Sequence, residues 1–216
     1  MGEYVTTVSA KNQIVDASKV FFLGNPDAKQ RVLVIGNSIT RHGPKEDIGW
    51  TGDWGMAASS AECDFVHRLF AMLTESGEDV YMRVRQGTYW ECNFLKEDCL
   101  SEFIGERDFL PDLIVFRLGD NVRLSEVPYF KENLIKFINF LKGEKTKIVF
   151  TTVFYNSQER NSVLREVAAH FGMPCAEIVS RGVGDTAEGL FEHSGVAGHP
   201  GDVGMEMIAK NIFDLI

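Results

Sequence analysis

The sequence predicts an α/β protein, a three-layer α/β/α sandwich built on a five-stranded parallel sheet, and three observations predict it. Short apolar, β-branched runs alternate with longer segments of helical spacing from residue 31 to the end, the pattern of parallel strands joined by right-handed crossover helices. The run 112–118 is nearly continuously apolar, as a central strand covered on both faces must be. At 216 residues, with 44% hydrophobic and 25% charged residues and 6 prolines, the chain is long enough to bury a full core. It carries no internal repeat, low-complexity tract or Pro/Gly/Ser-rich linker, so 1–216 reads as a single domain.

Residues 1–30 have a weak pattern and read as an irregular N-terminal extension, or as one that includes a strand or cover packed on the sheet. The first strand is 31–36, a β-branched run that stops at Gly36. After a long insertion at 41–59, a helix near 60–76 places Phe65, Val66, Leu69, Phe70 and Leu73 on one face, and Gly77 stops it. A strand at 79–85 alternates Val80, Met82 and Val84 and leads into a polar and aromatic stretch. Strand 112–118, helix 126–142, strand 146–154, helix 158–171, strand 174–178 and a helix at 203–215 complete the series. By analogy with flavodoxin-like domains the strand order is 2-1-3-4-5, and ligands bind at the carboxyl edge of such a sheet. Ser38, Gly87, Asn121 and His199 occupy the loops that meet there.

Composition narrows the chemistry. A formal charge of −9 with no basic stripe disfavours phosphate-rich partners: nucleic acid is a poor candidate and an anionic membrane surface would repel the chain. Neutral small molecules fit better. No run approaches the apolar length of a membrane span, and Met1 to Val15 lacks the features of a signal peptide, so a cytoplasmic protein is expected. Cys63, Cys92, Cys99 and Cys175 form no C-x-x-C pair, which argues against a zinc site.

Ser38 stands two residues past the first strand and is a candidate nucleophile. A serine there also serves as a helix cap or in a phosphate-cradling loop of a flavodoxin-like cofactor protein. Acyl transfer needs a nucleophile, a base and donors for the oxyanion. Gly87 lets a backbone N–H approach a reacting carbon, Asn121 offers an amide donor, and His199 reaches Ser38 if its loop folds back over the first strand. Pro200 and Gly204 suit that tight entry into the last helix.

These blocks, Gly36-Asn37-Ser38-Ile39-Thr40, Gly87, Gly119-Asp120-Asn121 and His199-Pro200 with Gly204, resemble those of the SGNH hydrolases, the GDSL-like lipase and esterase family, over about 31–215. The resemblance implies a flavodoxin-like fold, no metal or organic cofactor, and ester hydrolysis through an acyl-serine. It implies Ser38 as nucleophile, His199 as base, and an oxyanion hole of the Ser38 N–H, the Gly87 N–H and the Asn121 side chain. Two positions depart from the pattern. Asn37 stands where the family usually has Asp, and an amide still holds the loop by hydrogen bonds. The family's triad Asp, three residues before the histidine, is Val196 here. The His199 partner is then a backbone carbonyl, or a substitute acid from Glu192, Asp185 or Glu188, or the protein is catalytically degenerate. Asp202 reads as a first-turn acid complementing the helix dipole.

The insertion 41–59 gathers His42, Trp50, Trp54 and Met56 among four glycines, and loops of this length usually carry function. Asn37, His42, Trp50, Trp54, Tyr89 and Trp90 are the expected lining of a substrate pocket, the indoles suiting a sugar face or an acyl chain; packing roles are the alternative for each. His67, His170 and His193 lie outside the motif blocks. Arg83, Arg85, Arg117 and Arg123 read as salt links to the chain's acids, with an anionic substrate group as the alternative. The expected activity is a serine esterase for small acyl esters, with O-acetyl groups on carbohydrates first among them. An acyl-thioesterase or lysophospholipase, and a sugar-binding protein without turnover, are the alternatives. Oligomeric state stays open.

Overall fold

The computed structural model describes residues 19–182 and 184–216. Its sheet has six strands, one more than the sequence predicts. The extra one, β1 (Val20–Gly24), comes from the N-terminal section of weak pattern, where a strand or cover is one of the expectations; residues 1–18 of that section lie outside the described residues. β1 is followed by β2 (Gln30–Gly36), α1 (Phe65–Glu75), β3 (Val80–Gln86), α2 (Thr88–Asn93), α3 (Ile104–Asp108) and β4 (Leu113–Arg117). Then come α4 (Val127–Leu141), β5 (Lys147–Thr151), α5 (Gln158–Phe171), β6 (Cys175–Ala176), α6 (Ser194–Ala197) and α7 (Asp202–Phe213).

The sheet order is β1-β3-β2-β4-β5-β6. Five strands are parallel in the order the sequence predicts, and β1 adds to β3 antiparallel at the edge, Val20 opposite Arg85 and Gly24 opposite Tyr81. Side chains alternate across a strand, so each strand feeds two cores. Leu33, Ile35, Ile114, Phe116, Ile148 and Phe150 meet α4 and α5 through Phe130, Leu134, Phe137 and Leu164. Val32, Val34, Met82, Val84 and Val115 meet α1 and α7 through Phe65, Leu69, Ile208 and Ile212. Burying each such side chain contributes about 1.5–3 kcal/mol, and these two faces fix the sandwich.

Helix ends follow local chemistry. Asp64 caps α1 by accepting the His67 N–H at 2.8 Å, and Gly172, at φ +64°, ends α5. The strands expected at 146–154 and 174–178 are shorter because side chains take over the ladder. Val153 N–H donates to Asn161 Oδ1, Phe154 N–H to Asp120 Oδ1 and Ile178 N–H to Thr152 Oγ1. The helix expected from residue 60 starts at Phe65, preceded by a single 3₁₀ turn at Ala61–Cys63.

Candidate active site

At the carboxyl edge of the sheet Ser38 and His199 are in contact, and Asn121 is tied to the Ser38 turn through Glu91. Ser38 follows β2 in a turn closed on Asn37: the Thr40 and Arg41 N–H groups donate to the Asn37 carbonyl at 2.9 and 3.0 Å, and the Ile39 N–H to Asn37 Oδ1 at 3.2 Å. With these groups engaged inside the turn, it is no phosphate cradle. The Ser38 N–H has no acceptor among the described residues. Gly36 is required by crowding, since a Cβ there would stand 1.8 Å from Thr40 Oγ1 and 2.9 Å from the Arg117 carbonyl.

His199 arrives on the loop before α7. Ala187 N–H donates to the His199 carbonyl at 2.9 Å and Gly201 N–H to the Asp185 carbonyl at 3.0 Å. A Cβ at Gly204 would lie 2.2 Å from the Asp185 carbonyl oxygen, so glycine lets α7 close on that loop. The imidazole Nε2 is 2.8 Å from Ser38 Oγ, and Nδ1 is 2.6 Å from the Gly195 carbonyl oxygen. A carbonyl only accepts, so Nδ1 carries the proton and Nε2 accepts from the serine hydroxyl. Burial holds the imidazole down at about 4; the Gly195 bond works upward and the Arg117 charge downward.

The partner of His199 is therefore a backbone carbonyl, and the substitute acids fall away. Asp185 accepts the Arg181 N–H at 2.6 Å, and neither Glu188 nor Glu192 bonds the imidazole. Val196 is fully buried with Trp50, Met56, Ala57 and Ala187, so this position supplies an apolar side chain to that cluster and no carboxylate to the imidazole.

The expected oxyanion donors divide. Gly87 N–H donates to the Gly36 carbonyl at 2.6 Å, continuing the β2–β3 pairing, and is not available to a substrate. Glycine serves packing there, with a Cβ falling 3.2 Å from Ile35 and Leu118. The Asn121 side chain is exposed at the site, and one of its amide hydrogens goes to Glu91 Oε2 at 2.7 Å.

Beneath these groups lies a buried polar network. Asn37 Nδ2 donates to Glu91 Oε1 at 3.2 Å and to Asp120 Oδ2 at 2.9 Å, while Asn37 Oδ1 accepts from Arg117 at 2.5 Å. Arg117 also pairs with Asp120 at 2.9 Å. Glu91 Oε1 takes the Gly119 N–H at 2.5 Å and the Asn121 N–H at 3.4 Å. Burial, with Asp120 beside it, pushes the Glu91 carboxyl up, against the pull of its Asn121 and Gly119 donors. Asp120 Oδ1 accepts from the Phe154 and Tyr155 N–H groups at 2.9 and 3.4 Å. The Tyr155 ring meets His199 edge-on with centroids 6.2 Å apart, and burial, then Asp120, pushes its phenol up to about 12. Glu91 and Tyr155 are absent from the sequence reading. A glutamate between Trp90 and Cys92 was the only signal for Glu91, on a helix too short to show a period.

The expected pocket lining is mostly structural. Trp50 is 2% exposed, donates its indole N–H to the His42 carbonyl at 2.9 Å and packs on Trp54 and Phe191. Trp90 is 1% exposed and stacks on Phe137 at 4.7 Å. Neither forms a pocket wall, because each indole completes an apolar cluster. Trp54, half-buried, donates to the Ala58 carbonyl, and Tyr89 packs against the α4/α5-side core under Lys19. Asn37, fully engaged below Ser38, faces no substrate. His42 is half-buried, its Nδ1 2.6 Å from the Gly43 carbonyl of its own loop. Arg83 and Arg85 pair with Glu106, Arg85 also with Glu102, and Arg123 with Glu126. No group of three or more His, Cys, Asp or Glu among the described residues could hold a metal ion, and no described helix is long and apolar enough to cross a membrane.

No family model and no curated protein matches the chain. Solved structures do. TesA superposes at a TM-score of 0.56 with 18% identity, over 86% of this chain and 97% of that one. The psychrotrophic esterase EstA from a Pseudoalteromonas species, in a structure inhibited by monoethylphosphonate, gives 0.56 at 13% identity over 87% and 96%. A protein described as a GDSL-like lipase from Bacteroides uniformis gives 0.57 at 17% identity over 87% and 95%. The chain has the fold of the GDSL-like (SGNH) lipase and esterase structures, and at these identities the likeness is one of fold.

Proposed function

We propose that this protein is a serine ester hydrolase acting on small acyl esters. The observation that carries the reading is the Ser38 Oγ to His199 Nε2 contact of 2.8 Å, with Nδ1 fixed on the Gly195 carbonyl. Ser38 Oγ bonds to the ester carbonyl carbon as its proton passes to Nε2. The oxyanion meets the Ser38 N–H and the Asn121 amide, and loss of one such donor costs about 3–4 kcal/mol in barrier. The intermediate collapses, the C–O bond to the alcohol breaks, and the leaving alkoxide takes the proton from Nε2. Water, deprotonated by the same nitrogen, then cleaves the acyl-serine. A neutral carbonyl stabilises the imidazolium less than a carboxylate would, so this is a dyad rather than a triad.

Within that class, O-acetylated carbohydrate is the substrate we propose. With Trp50 and Trp90 buried, the support moves to Tyr155, 38% exposed and edge-on to His199, whose ring gives an apolar face with a polar tip. The test compares p-nitrophenyl acetate hydrolysis and acetate release from acetylated sugars by the protein and by Ser38→Ala. A rate well above background that the substitution abolishes is expected. Equal rates in both proteins would sink the mechanism and favour a binding protein without turnover.

A further inference from the structure

We infer that Glu91 is the positioning residue of the oxyanion hole: its buried carboxylate, clasped by the Asn37 amide, aims the Asn121 side chain at the acyl oxygen. The inference rests on the proposed esterase reading and adds a residue to it.

Glu91 is fully buried, and a carboxyl in that position is costly unless every oxygen is bonded. It is. Oε1 receives the Gly119 N–H, the Asn37 amide and, more weakly, the Asn121 N–H, and Oε2 receives the Asn121 amide at 2.7 Å. Four donors from two loops thus converge on one side chain, tying the nucleophile turn to the oxyanion loop. An amide NH₂ has two hydrogens in one plane. With one directed inward onto Oε2, rotation of the Asn121 amide is blocked and the other is presented on the exposed side. Without Oε2 the amide would swing through several rotamers, and a donor aimed only part of the time stabilises the transition state less.

The carboxylate itself is held from two sides. Trp90, the residue before it, is locked into the core against Phe137, which fixes α2. The Asn37 amide separates Glu91 from Asp120, giving one hydrogen to each, while its oxygen accepts from Arg117 and from the Ile39 N–H. All four of its hydrogen-bonding positions are used. An aspartate at 37 would set a third carboxylate against the other two, which is the physical reason an amide stands there.

The test is a kinetic cycle with p-nitrophenyl acetate, run on wild type, Ser38→Ala, Glu91→Gln, Asn121→Ala and the Glu91→Gln/Asn121→Ala double variant. A parallel readout is the rate at which a fluorophosphonate phosphonylates Ser38, Oγ bonding to phosphorus as fluoride leaves. An oxyanion-hole asparagine is worth about 10²–10³ in kcat, so mis-aiming it predicts a drop of about tenfold or more for Glu91→Gln, with KM changed less than about twofold. The double variant should be no slower than Asn121→Ala alone, since the two substitutions remove one function. Multiplying losses, or an unchanged kcat in Glu91→Gln, would overturn the inference while Ser38-dependent turnover kept the esterase reading intact. Equal rates in wild type and Ser38→Ala in both assays would overturn both. If Glu91→Gln does not fold, Glu91→Asp keeps the charge but withdraws it from Asn121, and a kcat equal to wild type there overturns the inference.

Discussion

His199 shows what one missing carboxylate does at the scale of a residue. Its partner is a neutral carbonyl and its half-buried ring is largely desolvated, so the protonated form is disfavoured and the imidazole stays neutral down to about pH 4. The acid limb of kcat/KM should therefore have its midpoint near 4, not near the ordinary histidine value of 6.5, and a pH–rate profile checks it. The stability consequence has a definite sign. Between pH 6.5 and about 4 the unfolded chain binds a proton at this histidine that the folded chain refuses, so its contribution to stability falls as pH is lowered through that window. Val196 and Asn37, the two departures from the SGNH pattern, have local reasons as well. One fills an apolar cluster, and the other keeps two buried carboxylates apart.

Elements position these residues through their ends. Asp64 is buried at the start of α1, where Oδ1 accepts the His67 N–H and Oδ2 accepts the Gly55 N–H at 3.0 Å, joining the helix to the insertion that runs beside Ser38. Removing the carboxylate loses a helix cap and leaves a buried N–H unpaired. Asp64→Ala should destabilise by about 2–3 kcal/mol, read as a lower urea midpoint with an unchanged slope. Elements with a strong period were legible in sequence: α1, α4, α5 and α7, and the apolar strands β2, β3 and β4. The short α2 was not, because six residues show no periodicity, and Glu91 was hidden with it. Strand β1 left only a weak pattern, enough for a strand or cover but not for its bounds, for a different reason. An edge strand pairing on one side needs no continuous apolar run.

The whole molecule is a closed sandwich except at its edges, and β1 protects one of them. Phe22 of β1 stacks on Tyr81 at 5.2 Å and lies under Arg83, while its backbone covers the outer side of β3. Removing residues 1–24 should lower the melting temperature and promote self-association through the exposed β3 edge, seen by thermal denaturation and size-exclusion chromatography; an unchanged melt would mean that β1 is a passive cover. By itself the sequence determined the α/β class, the order of the five parallel strands and the four loops that meet at one edge, because hydrophobic period and turn residues are local signals. Only the tertiary structure decided that a carbonyl partners His199, that Gly87 N–H belongs to the sheet, that Trp50 and Trp90 are core, and that Glu91 stands under Asn121. Those outcomes depend on which groups meet across the fold, where burial and hydrogen-bond satisfaction choose among donors and acceptors that look equivalent along the chain.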